Sequence, residues 1–106
     1  MNTDLTNLIE RLDPFEDRLN VSLKGLFSEQ DENGYVTVNG ELHSLSGTTI
    51  ENDIRVHTTV YDAQGRVIHT TNTIIFAEGF FAFEPFNEIF TVSHPIAKIR
   101  VYPKES

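Results

Sequence analysis

Residues 54–76 read IRVHTTVYDAQGRVIHTTNTIIF, and this stretch decides the fold class. Apolar Ile54, Val56 and Val60 alternate with more polar side chains, and this period of two predicts a half-buried β-strand. A second run, rich in β-branched residues, begins at Val67. Two such runs joined by a short polar segment are typical of a β-hairpin, so the centre of the chain is predicted to be antiparallel.

The segment between the two runs has the composition of a three-residue hairpin loop. Gly65 can adopt the left-handed conformation that a type I turn followed by a G1 bulge requires, with Asp62 opposite Arg66. Asp62 and Gly65 are therefore the predicted structural residues of this turn. The same register predicts two apolar cross-strand pairs, Val60 with Ile68 and Ile54 with Ile74.

A second hairpin is predicted upstream, between the alternating segments 19–27 and 36–42. The polar stretch between them contains Asn33 and Gly34, a pair that favours a type I′ turn because both residues tolerate positive φ. This turn would pair Phe27 with Gly40. In that register the apolar residues of both strands share one face.

The rest of the chain adds further short strands. A phenylalanine-rich segment, Phe80 to Val92, contains Pro85, which belongs at an edge or a bulge, and a last alternating segment covers Ile96 to Pro103. Six or seven short strands with no helix between them predict an all-β fold, an antiparallel β-sandwich. Residues 14–106 are predicted to form this sandwich as one domain.

Helical periodicity is confined to the N-terminal segment, residues 1–13. Its apolar residues fall at the i, i+3, i+4, i+7 spacing of an amphipathic helix: Leu5, Leu8, Ile9 and Leu12. Asp13-Pro14 is expected to end it. Since so short a helix is marginal alone, it is expected to dock on the domain or on another chain.

The hairpin from Val60 to Ile68 resembles the FxLYD-type bacterial immunoglobulin-like domains, which carry a Tyr-Asp-x-x-Gly turn between two apolar strands. Three further features occur in the order that the family shows. The Asn39-Gly40-Glu41 strand precedes the hairpin, and the Glu78-Gly79 turn and an aromatic strand at Phe81 or Phe83 come after it. The resemblance spans Val21 to Val101. It implies an immunoglobulin-like fold, no general enzymatic activity and a frequent link to exported or cell-surface proteins.

Charge and composition exclude several classes of partner. The chain has 16 acidic and 8 basic residues among 106, a formal charge of −8 that repels nucleic acids and anionic lipids. Binding to nucleic acid or to a membrane is therefore not expected. The chain has no cysteine, and its N-terminal residues lack the pattern of a signal peptide, so we expect a cytoplasmic protein.

No catalytic, cofactor or metal site is predicted. Glu29, Asp31 and Asn33 approach the spacing of a calcium loop, but Gly40 occupies the position that needs a bidentate glutamate. In the predicted register His57 and His69 are diagonal neighbours on the outer face, a weak hint of zinc without a third ligand. Two other candidates for chemistry are the adjacent pair Ser93-His94 and the carboxylates Glu78, Glu84 and Glu88.

The phenylalanine-rich segment is the strongest candidate for function. Successive strand residues point to opposite faces, so one set of rings is expected to need cover from the N-terminal helix or from another chain. The predicted interface residues are Leu5, Leu8, Ile9, Leu12, Phe80, Phe81, Phe83 and Phe86. The predicted function is a non-enzymatic protein-binding or assembly module, with self-association as a homodimer favoured.

Two alternatives stay open. One is a β-sandwich that binds a small ligand or a carbohydrate through Tyr35, Tyr61 or Tyr102, although the chain has no tryptophan. The other is a hydrolytic domain, for which the sequence offers no specific motif.

Overall fold

The computed structural model describes residues 2–106, so Met1, the first residue of the predicted helical segment, lies outside the described residues. Eight strands are present in this range: β1 Thr3–Asp4, β2 Ile9–Arg11, β3 Val21–Gln30, β4 Tyr35–Ser44, β5 Ile54–Tyr61, β6 Val67–Ile75, β7 Phe83–Thr91 and β8 Lys98–Glu105. A 3-10 turn covers Thr6–Leu8, and one α-helix, α1, covers Asp13–Leu19. None of the described helices is long and apolar enough to cross a membrane.

The strands form two four-stranded sheets that pack on one core. Sheet A has the order β1-β3-β4-β7 and sheet B the order β2-β8-β5-β6. Neighbouring strands are antiparallel except for the parallel pair β2 and β8. Fully buried side chains come from both sheets, among them Leu23, Val38 and Leu42 from sheet A and Val60 and Val101 from sheet B. The predicted β-rich fold with two packed sheets is confirmed, whereas residues 2–106 contain eight strands instead of the predicted six or seven, and one strand pair is parallel.

The predicted N-terminal helix is wrong. Where it was expected, the chain forms β1, the 3-10 turn and β2, and α1 begins at Asp13, the residue where the helix was expected to end. Pro14 lies in the first turn of α1, where its missing N–H costs nothing. Hydrogen bonds to sheet edges, such as Leu5 N–H to the Ser28 carbonyl at 2.8 Å, replace those of the marginal helix.

The β3–β4 hairpin differs from its prediction by one residue. Gly34 has φ +89°, but Asn33 does not have positive φ, so the turn is not type I′. Asp31 N–H donates to the Tyr35 carbonyl, which closes a three-residue loop and pairs Phe27 with Asn39 instead of Gly40. A bulge at Gly25 also reverses the phase of β3, so Phe27 points outward and is half exposed.

The β5–β6 hairpin confirms the predicted turn and corrects the register beyond it. Asp62 N–H donates to the Arg66 carbonyl, and Gly65 has φ +78°. A bulge next to Val60 then shifts the pairing by one residue, so that Val60 faces His69 and Ile54 faces Ile75. The predicted pairs with Ile68 and Ile74 are therefore wrong. As a result, the inner face of β6 carries His69, Thr71, Thr73 and Ile75.

Candidate interaction surface on the open side of the sheets

The two lateral sides of the sheet pair are built differently. On one side, which we call the closed side, the N-terminal strands β1 and β2 cover β3 and β8, and Leu5 is buried where the chain crosses between the sheets. On the other side, the open side, β6 and β7 are the last strands of their sheets. An uncovered edge strand presents backbone N–H and C=O groups to a partner strand. The open side is therefore the candidate interaction surface.

The closed side buries a glutamate that is charge-compensated. Glu16 on α1 is 3% exposed, and its carboxylate accepts two hydrogen bonds from Arg11, at 2.6 Å and 3.1 Å. It also accepts one from the Leu23 backbone N–H at 3.0 Å. The hydrogen bond to Glu16 raises the pKa of Arg11. This side chain therefore joins α1, β2 and β3.

The open side buries a glutamate without a cation. Glu88 projects from the inner face of β7 and is 6% exposed. Its carboxyl accepts hydrogen bonds from the hydroxyl of Thr58 and from that of Thr73, the latter at 3.2 Å. Within residues 2–106 no Lys or Arg side chain forms an ion pair with it. Burial raises the pKa of Glu88, although hydrogen bonds from threonine hydroxyls oppose the shift.

A cleft of about 380 Å³ opens between the end of β6 and the start of β7. Thr73, which donates to Glu88, lines it, and Phe76 and Pro85 supply apolar walls. Glu78 and Glu84, both exposed, also line the cleft. A cationic or mixed basic and apolar segment is the chemistry that such a lining favours.

The predicted interface phenylalanines divide into two sets. Phe80 and Phe86 are buried in the core, so they are not available to a partner. Phe81 is 72% exposed and Phe83 is 47% exposed, and Phe76, which was not among the predicted interface residues, is 58% exposed. The three exposed residues lie in the segment from the end of β6 to the first residue of β7. Phe76 lines the acidic cleft, whereas Phe83 stacks on His43 on the outer face of sheet A, with the ring centroids 5.2 Å apart. We call these three side chains the exposed phenylalanines.

The predicted N-terminal interface residues lie on the closed side. Leu5 belongs to the buried core, and Leu8 and Ile9 are half-buried against it. Leu12 is also half-buried, at the start of α1. Leu5, Leu8 and Ile9 therefore pack within the chain on the closed side and do not cover the exposed phenylalanines.

The histidines are not gathered into a site. His57 stacks on Tyr102 with the ring centroids 5.5 Å apart, whereas His69 stacks on Phe90 at 4.5 Å. The bulge next to Val60 places these two histidines on opposite faces of sheet B, so the diagonal arrangement was wrong. In the described part of the chain, no three His, Asp or Glu side chains are grouped so that they could hold a metal ion.

The other chemical candidates have structural partners. Asp31 accepts hydrogen bonds from the backbone N–H groups of Asn33 and Tyr35, both at 2.9 Å, so it caps its turn. Ser93 and His94 are 3.1 Å apart, Oγ to Nδ1, on the exposed surface. Of the tyrosines, Tyr61 lies under the Arg100 guanidinium and Tyr102 packs against Phe15 and His57. Both rings are half-buried.

No family model, no curated protein and no solved structure matches this chain. The sequence grouped Glu88 with Glu78 and Glu84 as candidate carboxylates for chemistry and did not indicate its burial. The available signal was the threonine run of β6, since Thr71 and Thr73 turn inward once the bulge is known.

Proposed function

We propose that this protein is a non-enzymatic protein-binding or assembly module with an immunoglobulin-like fold, and that it contacts its partner on the open side. The observation that carries the proposal is the exposure of three phenylalanines, Phe76, Phe81 and Phe83, in the segment that joins the two free edge strands. Exposed apolar patches next to unpaired strands are typical of protein contacts.

The order of the strands supports an immunoglobulin-like arrangement. The three long strands of sheet A are β3, β4 and β7, and those of sheet B are β5, β6 and β8. The chain therefore passes from a hairpin in one sheet to a hairpin in the other and then returns, as in a Greek-key sandwich. The turn from Tyr61 to Gly65 also resembles that of the FxLYD-type immunoglobulin-like domains. This resemblance supports a binding function.

Charge restricts the partner. The chain carries a net charge of −8, and Glu78 and Glu84 line the same cleft as Phe76. An extended segment that alternates basic and apolar residues would pair its backbone with a free edge and place its cations near these carboxylates. Binding of this kind weakens as salt concentration rises.

The test uses two synthetic peptides of equal length, one alternating lysine and valine and the other alternating glutamate and valine. Fluorescence anisotropy at low salt is expected to show binding of the lysine peptide only, weakened by added salt. The variant Phe81→Ser should lose this binding, whereas Phe27→Ser, which removes a half-exposed ring from the outer face of sheet A, should retain it. Equal binding of both peptides, or full binding by Phe81→Ser, would contradict the proposal.

A further inference from the structure

Strand β6 differs from every other strand in its charge. Among the eight described strands it alone contains no Asp, Glu, Lys or Arg, and its nine residues include neither Pro nor Gly. The opposite open edge, β7, carries Pro85 together with Glu84 and Glu88. Charges and prolines are the features that protect edge strands from pairing. The β6 edge therefore lacks this protection, whereas β7 has it.

The sequence of β6 is complementary to itself in the antiparallel direction. When two copies of β6 are paired with Thr71 at the centre, apolar residues lie opposite apolar residues and polar residues opposite polar ones. The pairs are Val67 with Ile75, Ile68 with Ile74, His69 with Thr73, and Thr70 with Asn72. Pairs of β-branched residues and of small hydroxyl or amide residues stabilise antiparallel strands. A register shifted by two residues would instead place isoleucine opposite polar side chains.

We propose that β6 pairs with β6 of a second copy of this chain, antiparallel and centred on Thr71. This inference goes beyond the function proposed above, because the occupant of the β6 edge is a second copy of the chain, which leaves the β7 edge to the basic segment. Pairing joins the two four-stranded B sheets into one continuous sheet of eight strands. The contact is isologous, so the assembly closes as a dimer and leaves neither β6 edge free.

The charges around this edge allow a second copy as its occupant. Two chains of charge −8 repel each other, but β6 itself adds no charge to the contact, and Glu88, which accepts a hydrogen bond from Thr73 of β6, lies on the inner face. Extending the register by one residue places Arg66, a mostly exposed guanidinium, opposite the exposed ring of Phe76 in the second copy. Arginine over an aromatic ring is a favourable contact across an interface.

The first experiment compares two lysine substitutions of exposed threonines on the two edge strands. Thr70→Lys adds a charge to β6, whereas Thr91→Lys adds the same charge to β7. Sedimentation equilibrium over a wide concentration range is expected to show a dimer for the native chain and for Thr91→Lys. In Thr70→Lys the dimer dissociation constant should rise by about tenfold or more, equivalent to about 1.4 kcal/mol.

The second experiment tests the register without a charge. The chain has no cysteine, so Thr71→Cys introduces a single thiol that the proposed symmetry places opposite itself. Oxidation is expected to yield a disulfide-linked dimer, while Thr91→Cys, on the other edge, should stay mostly monomeric. Amide hydrogen exchange of the native chain should show protection that grows with concentration in β6 and not in β7.

The outcomes separate this inference from the proposed function. The β6 pairing is overturned if the native chain is monomeric at every concentration. It is also overturned if the Thr70→Lys variant dimerises as tightly as the native chain does. If that monomer still binds the lysine peptide through Phe81, the binding function stands without the dimer. If the chain dimerises through β6 but binds neither peptide, the β6 contact is supported and a basic partner is excluded.

Discussion

The closed side and the open side each bury one glutamate, Glu16 and Glu88, and their carboxyl groups are almost equally inaccessible to solvent. Glu16 receives a guanidinium from Arg11 and a backbone N–H. Among the partners within residues 2–106, Glu88 receives threonine hydroxyls only, from β5 and β6. The two sides therefore differ in charge compensation and not in depth.

This difference indicates separate roles for the two sides. A buried carboxylate with a cation and a full set of hydrogen bonds holds neighbouring elements in one geometry, and losing one partner is costly. A buried carboxylate without a cation lowers stability at neutral pH. The closed side thus contributes to stability, while the open side combines a costly acid with free edges and exposed rings.

The largest effect is expected from Glu16→Ala. The substitution leaves the Leu23 N–H and the Arg11 guanidinium without their acceptor, so the free energy of unfolding should fall by about 2–4 kcal/mol. Chemical denaturation monitored by circular dichroism measures this. The control is Asp17→Asn, an exposed residue of the same helix, which should change stability by less than about 0.5 kcal/mol. A similar small change for both variants would mean that the ion pair does not hold the closed side together.

The fold was predictable where a local signal decides it. The Asp62 to Gly65 turn was predicted correctly because one glycine and one aspartate specify it. The bulges at Gly25 and next to Val60 were missed because they depend on packing across the core. The N-terminal segment was misassigned because its apolar spacing suits a helix, while two sheet edges far along the chain provide better hydrogen bonds.

The candidate site was less predictable for the same reason. Phe81 and Phe83 were found from composition, and both are exposed. The position of Glu88 depends on which residues of β5 and β6 face it, with Thr58 30 positions away in the chain. A one-residue error in register removes these threonines from its surroundings, so the sequence alone could not show a buried acid.

An intermediate loss of stability is expected when valine replaces the glycine of either hairpin turn. The β3–β4 hairpin includes a strand covered on the closed side, and the β5–β6 hairpin includes the edge strand of the open side. Gly34 and Gly65 both have positive φ, and in each turn an aspartate accepts a hydrogen bond from the backbone N–H four residues later. Gly65→Val and Gly34→Val should each lower stability by about 1–2 kcal/mol. Thermal and urea unfolding measure both, with the exposed loop variant Ala63→Val as control. Equal losses show that the two sides share one turn design, whereas an unchanged midpoint for Gly65→Val contradicts the turn assignment.

The smallest effect, with the opposite sign, is expected from Glu88→Gln. Burial raises the pKa of Glu88 above its ordinary value of 4.5, so the folded chain binds a proton more tightly here than the unfolded chain does. Its contribution to stability is therefore greatest at low pH, declines as pH rises through 4.5, and is fully lost above the raised pKa.

Glutamine keeps a hydrogen-bonding group among the threonines without a charge. We expect the variant to be about 1 kcal/mol more stable than the native chain at neutral pH and nearly equal to it at acid pH. Urea unfolding of both chains across this range gives the difference directly, and Glu84→Gln, an exposed residue of the same strand, serves as the control. The opposite result would be a Glu88→Gln variant that loses stability relative to the native chain as the pH rises from acid to neutral. It would show that the surroundings stabilise the carboxylate, and the contrast with Glu16 would disappear.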